Sequence, residues 1–549
     1  MLKQLLLAIV SVFVLSSAVF SSSWNDTLTG NITTVKTLQN NKRYLILGTV
    51  FVEQGGTLVI PAGTQLFGDK TSKASIVVKR GGYINAVGTF DAPIIFTSSQ
   101  PVGSKSAGDW GGIILLGKAR INTPTGADTL GIEGISPAVY FGGQTDNDSS
   151  GVMKYCRIEY PGIALSPNNE INGLTFGGVG SRTVIDYIMV SYSGDDSYEW
   201  FGGTVNCTHL IACYAVDDDF DTDNGFRGNV QFCLDVRNPN IADVSGSNGF
   251  ESDNNATPNY NAPRTQPNFS NVTIVGPLKD TTSTINPNFT RGIHDRRNSL
   301  MSIANSLIMG WPTAALLDGA GTTCALQNDS SRIKSNIFSG CYQGYKSTNA
   351  GCSFDAIVYM SGNNTSYPIN SLMQLTDPYG AYSTGNYSPA NFNPAAGSPA
   401  LTGSNFTYPG FNNFVNTTYR GAFSQNDTWA NTWTNFRPDT VNYKLGPIGI
   451  QPISNVVPKS FSLQQNYPNP FNPSTKISFN VASNGFAKLV IFDVLGREVA
   501  SLVNENLKAG EYAVNFNASN LPSGVYLYRL TLSGDKASFT STKRLILVK

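Results

Sequence analysis

The chain is short of most residue types that chemistry leans on. Only 13% of its 549 residues are charged, about half the ~25% of ordinary globular domains. Its 37 basic and 37 acidic residues cancel, so no global field draws it to nucleic acid or to an anionic membrane. Histidine occurs only as His209 and His294, and His209 lies beside an apolar strand, which argues against a zinc centre or a His-based triad. The seven cysteines, at 156, 207, 213, 233, 324, 341 and 352, are odd in number, too sparse for a disulfide scaffold and without a C-x-x-C. No Gly-rich phosphate loop stands between a strand and a helix. Beyond the N-terminus, no apolar stretch is long enough to span a bilayer.

What is present begins with an export signal. Lys3 precedes an apolar run over 5–15, followed by small residues around Ser16-Ser17-Ala18 and Ser21-Ser22-Ser23. The run is shorter than the ~20 residues of a spanning helix, so residues 1–23 are expected to be a cleaved secretory signal that leaves no transmembrane anchor.

Glycine reaches 54 residues, about a tenth of the chain against a usual ~7%, and it falls periodically. Phe176-Gly-Gly, Phe201-Gly-Gly, Phe226-Arg-Gly and Asn248-Gly-Phe recur at a period of roughly 25 residues. EQGGTLVIPAGT at 53–64 returns as KRGGYINAVGT at 79–89. NVTIVG at 271–276, NSLIMG at 305–310 and SNIFSG at 335–340 form a second series with longer intervals. Short β-branched runs between Gly-marked corners at this period describe a parallel β-solenoid, each turn burying its apolar side chains against its neighbours. Asn at recurring corners suits left-handed geometry. Cys207 and Cys233 are about one such turn apart, placed to stack and bridge, whereas Cys213 sits in the apolar run LIACYA as core. The Gly, Ser, Thr and Asp rich stretch 121–151 is expected to be a loop excursion. The aromatic, Pro-rich stretch of about 350–446 is expected to cap the open end of a coil spanning 24–446. A linker at 447–459 leads to a unit at 460–549 with alternating strands and Gly turns, a small antiparallel β-sandwich.

That last unit resembles the C-terminal sorting domain carried by cargo of the type IX (Por) secretion system of Bacteroidetes-type bacteria. The matching residues are LQQNYPNPFNPSTKISF at 463–479, LVIFDVLGREV at 489–499, LPSGVYLYRL at 521–530 and the terminal KRLILVK. The resemblance implies an address read by the export machinery at the outer membrane, followed by release or attachment to surface lipopolysaccharide. Its signal residues would be Asn469, Pro470, Phe471, Asn472, Pro473, Gly496, Gly524, Lys543 and Arg544. The coil is similar to secreted right-handed parallel β-helix proteins of the same bacteria through SPNNEINGLTFGGVG, SYSGDDSYEWFGGTVN and DVSGSNGFESDN.

One segment breaks the charge balance. Between Arg182 and Arg227 there is no Lys or Arg, yet nine acids occur. If the segment is extended, Asp217, Asp219, Asp221 and Asp223 share a face, and one period sets Asp196 beside Asp221 on the next turn, ~4.8 Å away. Carboxylates so close repel unless a cation lies between them, and hard oxygen ligands suit Ca²⁺. The expected ligands of a structural Ca²⁺ are Asp195, Asp196, Glu199, Asp217, Asp219, Asp221 and Asp223, with a solvated acidic turn as the alternative. This is no EF-hand, because Asn224 and Val230 stand where its Gly and Glu belong. A pectate-lyase-like scheme would take Arg227 or Arg237 as base. A galacturonase-like scheme would pair Asp195 with Asp196, but puts His294 about four turns off. Tyr192, Tyr198 and Trp200 either stack inside the coil, the preferred reading, or offer rings to sugars. The chain thus reads as a secreted, surface-displayed β-helix with a non-enzymatic adhesive or polysaccharide-contact role. A polysaccharide lyase or glycoside hydrolase using the acidic flank at 195–223 is the alternative.

Overall fold

The computed structural model describes residues 26–40, 42–166, 169–348, 352–441, 443, 450–454, 458–518, 521–534 and 538–548. The secretory signal read at 1–23 lies outside the described residues. From Asp26 onward the chain is a parallel coil. Its first turns have three faces: Val35–Thr37, Thr57–Pro61 and Tyr83–Val87 stack in one, Asp26–Leu28, Arg43–Ile46, Gln65–Gly68 and Ile94–Ser98 in a second, and Thr49–Val52, Ser75–Val78 and Gly112–Leu116 in a third. The repeat at 53–64 and 79–89 holds in register, since Thr57 lies opposite Tyr83. Its Gly-Gly pairs are required by geometry. Gly55 and Gly81 both have φ +81°, and a Cβ on Gly56 or Gly82 would fall 2.0 or 2.3 Å from a backbone oxygen.

In the middle turns the first two faces merge into single bent strands. Gly151–Glu159 pairs with Tyr83–Val87 through its first half and with Ile94–Ser98 through its second. The bend falls on one column of residues: Tyr155, Tyr187, His209, Phe232, Asn271, Asn305 and Ser335 all have φ between 50° and 59°. Each left-handed non-Gly residue costs about 1–2 kcal/mol, and its neighbours offset this. The rings stack at 4.4, 4.2 and 5.2 Å from Tyr155 to Phe232, and the Asn residues bond a segment arriving from outside. Asn271 and Asn305 therefore occupy the corner role read from sequence.

That outside segment is the one expected to cap the coil's end. Helix Ala356–Asn363 does pack against the last turns, but the chain then runs back along the flank. Asn405 meets Asn305 at 2.7 Å, Asn271 Nδ2 donates to Thr417 and Tyr419, Trp429 and Trp433 lie against Tyr187, and Tyr443 donates to Glu159 at 2.7 Å. Residues 374–443 are thus a lengthwise strap from the last turns to the first. The left-handed column offers polar groups and ring edges that the strap's own residues meet.

Inside, rings form staircases: Tyr198, Phe220 and Phe250 at 5.7 and 5.4 Å, and Phe176, Trp200 and Phe226 at 5.3 Å each. Tyr198 and Trp200 are fully buried core, whereas half-buried Tyr192 stacks on Tyr160 at 5.3 Å and packs in the cluster beneath the strap rather than inside the coil. Cys207 and Cys233 are free buried thiols. The turn there is shorter than the repeat suggested: Cys207 lies opposite Val230, which leaves Cys233 further along the strand. Cys324 and Cys352 form the disulfide.

The C-terminal unit is two four-stranded antiparallel sheets enclosing Phe471, Phe479, Ile491, Tyr528 and Leu545. Ile450–Ser454, inside the stretch read as linker, is an edge strand of the first sheet, paired with Gly510–Asn517.

Candidate cation site on the acidic ladder

The third face continues through Leu174–Val179, Tyr198–Gly203, Phe220–Asp223, Ser247–Ser252 and Phe289–Asp295. Tyr198, Phe220 and Phe250 point inward, so alternation turns the next residue of each strand outward. Thr175, Glu199, Asp221, Glu251 and His294 consequently stand opposite one another in a ladder. Asp195, Asp196, Asp217 and Asp218 crowd the corner that enters these strands, where Asp196 accepts from the Asp218 N–H at 2.8 Å. Three trios bring a carboxylate oxygen from each member within 4.8 Å of the others: Asp195, Asp196 and Asp217; Asp196, Glu199 and Asp221; Asp218, Asp221 and Glu251.

The ladder is polarised. At one end Glu251 bonds Arg296 and meets His294 Nδ1 at 3.1 Å, and Asp253 meets Arg296 at 2.8 Å and Arg297 at 2.7 Å. Burial alone would push the Glu251 carboxyl up, but the His294 bond and the arginine charges bring it below its ordinary value. Toward the other end the arginine charges reach only Asp221 and Asp223, and there they are outweighed. Burial, and then mutual repulsion, lift Asp195, Asp196, Glu199, Asp218 and Asp221 well above the carboxylate range, and Asp223 to about 8. Glu133, carried in by the excursion over 121–151 and set against Glu199, rises to about 7 for the same reasons. Fully buried Asn172 donates to Glu199 and leaves its Oδ1 without a hydrogen-bond partner. Such a set holds protons or a hard cation.

Of the expected ligands, Asp195, Asp196, Glu199, Asp217 and Asp221 come together, with Asp223 one outward position further along the strand. Asp219 does not. The strand begins only at Phe220, so the alternation inferred for 217–223 fails, and Asp219 turns inward to Arg237 at 2.9 Å, both side chains having no exposed surface. The register differs, since this turn is shorter than the Phe-Gly-Gly spacing and Glu199 faces Asp221, but the Asp196 and Asp221 carboxylates still come within 4.8 Å of each other. That spacing misled because Trp200, not Phe201, continues the Phe176 stack. Arg237 is sealed in the coil and cannot serve as a base toward a bound glycan, while Arg227 reaches Asp146 at 3.4 Å, away from the ladder. His294 shares the row but meets Glu251 rather than the Asp195 and Asp196 corner. Asp218, Glu251, Glu133, Asn172 and Arg296 were missed as members, because the long turns from Asp221 to Glu251 and from Glu251 to His294, and an inserted excursion, bring them in.

Among the residues of the sorting motif, Asn469 and Phe471 hold the framework of the sandwich. Asn469 Oδ1 accepts from Ile546 N–H at 2.8 Å and Phe471 is buried, pairing with Leu547. Asn469 and Phe471 thereby fasten the last strand. Gly496 makes a φ +78° turn, Gly524 opens a strand, and Arg544 is exposed opposite Leu527, with Lys543 half-buried opposite Tyr528.

Coil and sandwich together define an exported parallel β-helix protein. The chain belongs to the pectate-lyase-like β-helix domain family, whose profile matches residues 30–372. The profile of the secretion system C-terminal sorting domain matches residues 465–548, which assigns type IX export to the cell surface or beyond and an interaction with that machinery. No helix among the described residues is long and apolar enough to cross a membrane. No curated protein sequence matches the chain. Among solved structures, the Dettilon tailspike protein is similar at 9% identity and a TM-score of 0.24, over 93% of this chain and 87% of that one.

Proposed function

We propose that this protein is a surface-displayed β-helix that contacts polysaccharide without turning it over, its acidic ladder stiffened by Ca²⁺. The observation that carries the reading is the polarised ladder: crowded carboxylates at Asp196, Glu199 and Asp221, beside a cationic end at Arg296 and Arg297, on one face of an exported coil. A divalent ion on the acids would keep coordination positions open to glycan hydroxyl or carboxylate oxygens. Binding of the full chain to immobilised acidic and neutral glycans, with calcium and with chelator, tests it. Calcium-dependent retention lost in Asp221→Asn supports the role, and no retention on any glycan removes it.

A second reading, a lyase or hydrolase, is favoured by one observation. Carboxyls raised to about 6 at Asp217, 7 at Glu133 and 8 at Asp223 titrate where general acids and bases work. Release of reducing ends or unsaturated products, abolished by Glu199→Gln or Asp221→Asn with binding retained, would establish it over the first.

A further inference from the structure

The sorting domain shows which of its surfaces is free to be read. Its second sheet orders Glu498–Leu507, Gly485–Phe492, Gly524–Gly534 and Ser538–Leu547. Alternation sends Ile491, Tyr528 and Leu545 into the sandwich and turns Phe492, Leu527 and Arg544, which are opposite one another, outward. One end of that outer face is apolar. Val525 and Leu527 are 40% and 37% exposed, and the adjoining turn displays Val494 and Leu495 at 71% and 74%. Arginines fringe it: Arg497 beside the turn, Arg544 opposite Leu527, and Arg529 lying over the Phe492 ring at 5.2 Å.

The turn is rigid. The Asp493 carboxylate accepts from Leu495 N–H at 2.9 Å, Arg497 N–H at 3.0 Å and Arg497 Nε at 2.7 Å, and Gly496 supplies the left-handed residue. Two large apolar side chains held out on a fixed frame form a knob shaped for a pocket, because a fixed frame lowers the ordering cost of docking. A lipid surface has no use for such fixed geometry. The arginine fringe calls for acidic groups around that pocket. Asn469 and Phe471, by contrast, are occupied in holding the last strand.

We propose that this face, centred on Val494 and Leu495, is the surface by which the sorting domain docks on a protein component of the type IX machinery, a partner offering an apolar pocket with an acidic rim. The inference rests on the sorting-domain assignment. The test expresses the full chain in a bacterium carrying the export system and measures protein in periplasm and on the surface. Val494→Ser/Leu495→Ser and, separately, Arg544→Glu should leave the purified chain's melting temperature unchanged and cut surface material at least tenfold, with periplasmic accumulation. Normal export of both variants overturns the proposal. A chain lacking residues 458–548 is the control: its continued export would discredit the sorting assignment itself, not the choice of surface. Vesicles of anionic phospholipid supply the last arm, since binding by the full chain that is lost in the Ser variant would make the partner a lipid and overturn a protein pocket.

Discussion

Crowded carboxylates without counter-charge should make the coil more stable in acid than at neutral pH unless a cation is supplied. Glu133 gives a magnitude. Its pKa rises from 4.5 to about 7 on folding, with burial the main cause and Glu170 the next. Because the folded value is the higher one, the folded state binds the proton more tightly. Its contribution is fully present below about pH 4.5 and lost as pH rises through about 7. A shift of ~2.5 units at about 1.4 kcal/mol each is ~3.5 kcal/mol at most, and solvent screening at this half-buried site trims it to roughly 1–2 kcal/mol. Asp217 and Asp223, raised to about 6 and 8, add with the same sign. At about 1–2 °C per kcal/mol for a coil of this length, the melting temperature in chelator should fall by roughly 5 °C between pH 5 and pH 8. Millimolar calcium should flatten that slope, since a ligand bound only by the folded state adds ~2.7 kcal/mol at a hundred times its Kd. Differential scanning calorimetry of the full chain, with Glu133→Gln and Asp221→Asn beside it, reads both effects. A melting temperature that in chelator is unchanged or rises from pH 5 to pH 8 would refute the arrangement of charges argued above.

Asp219→Asn, although next to the ladder in sequence, should lower stability by about 3–5 kcal/mol whether or not calcium is present, because it strands the buried Arg237 guanidinium; chemical denaturation in calcium and in chelator separates it from Asp221→Asn. Trp200→Ala, which empties the step between Phe176 and Phe226, should cost about 3–5 kcal/mol and shift near-ultraviolet circular dichroism. Thiol titration in denaturant should count five groups before reduction and seven after, the difference being Cys324 and Cys352. Tyr443→Phe should cost about 1–2 kcal/mol through its lost bond to Glu159 and expose the strap's far end to limited proteolysis.

How far sequence carried differs between elements for identifiable reasons. The coil was legible because a solenoid repeats its local chemistry: the Gly pairs at 55–56 and 81–82, and the left-handed Asn271 and Asn305, are dictated by backbone geometry that recurs turn after turn. The sandwich was legible from alternation. Register was not, because it depends on corner length, and corners here vary from turn to turn. Leu174 to Tyr198, Tyr198 to Phe220 and Phe220 to Phe250 are each one turn, no single period fits all three, and the mismatch put Glu199 rather than Asp196 in register with Asp221. The strap was invisible for a different reason. Its partners are 100 to 400 residues away in sequence, as in the contact of Asn405 with Asn305 or of Tyr443 with Arg43, and its Asn and aromatic content is as suited to an end cap as to a flank.

The ladder's two ends show why stability alone does not explain it. Stacking strands ~4.8 Å apart multiplies any outward charge down a column, and the fold has a ready remedy, visible where Arg296 and Arg297 neutralise Glu251 and Asp253. Earlier on the same face, at Asp196 and Glu199, a single Lys or Arg would have done the same, as Lys154 does for Asp186 at 3.0 Å. Instead the neighbours are more carboxylates, joined by Glu133 from an excursion and by a buried amide with an open oxygen at Asn172. A local arrangement that works against the folded state is the kind a ligand is expected to complete, and the ligand these atoms fit is a hard cation. If calcium neither stabilises the chain nor alters its contact with glycans, the remaining way to carry such a cluster at neutral pH is to share protons across it, and Asp221→Asn would then raise the melting temperature in calcium and chelator alike.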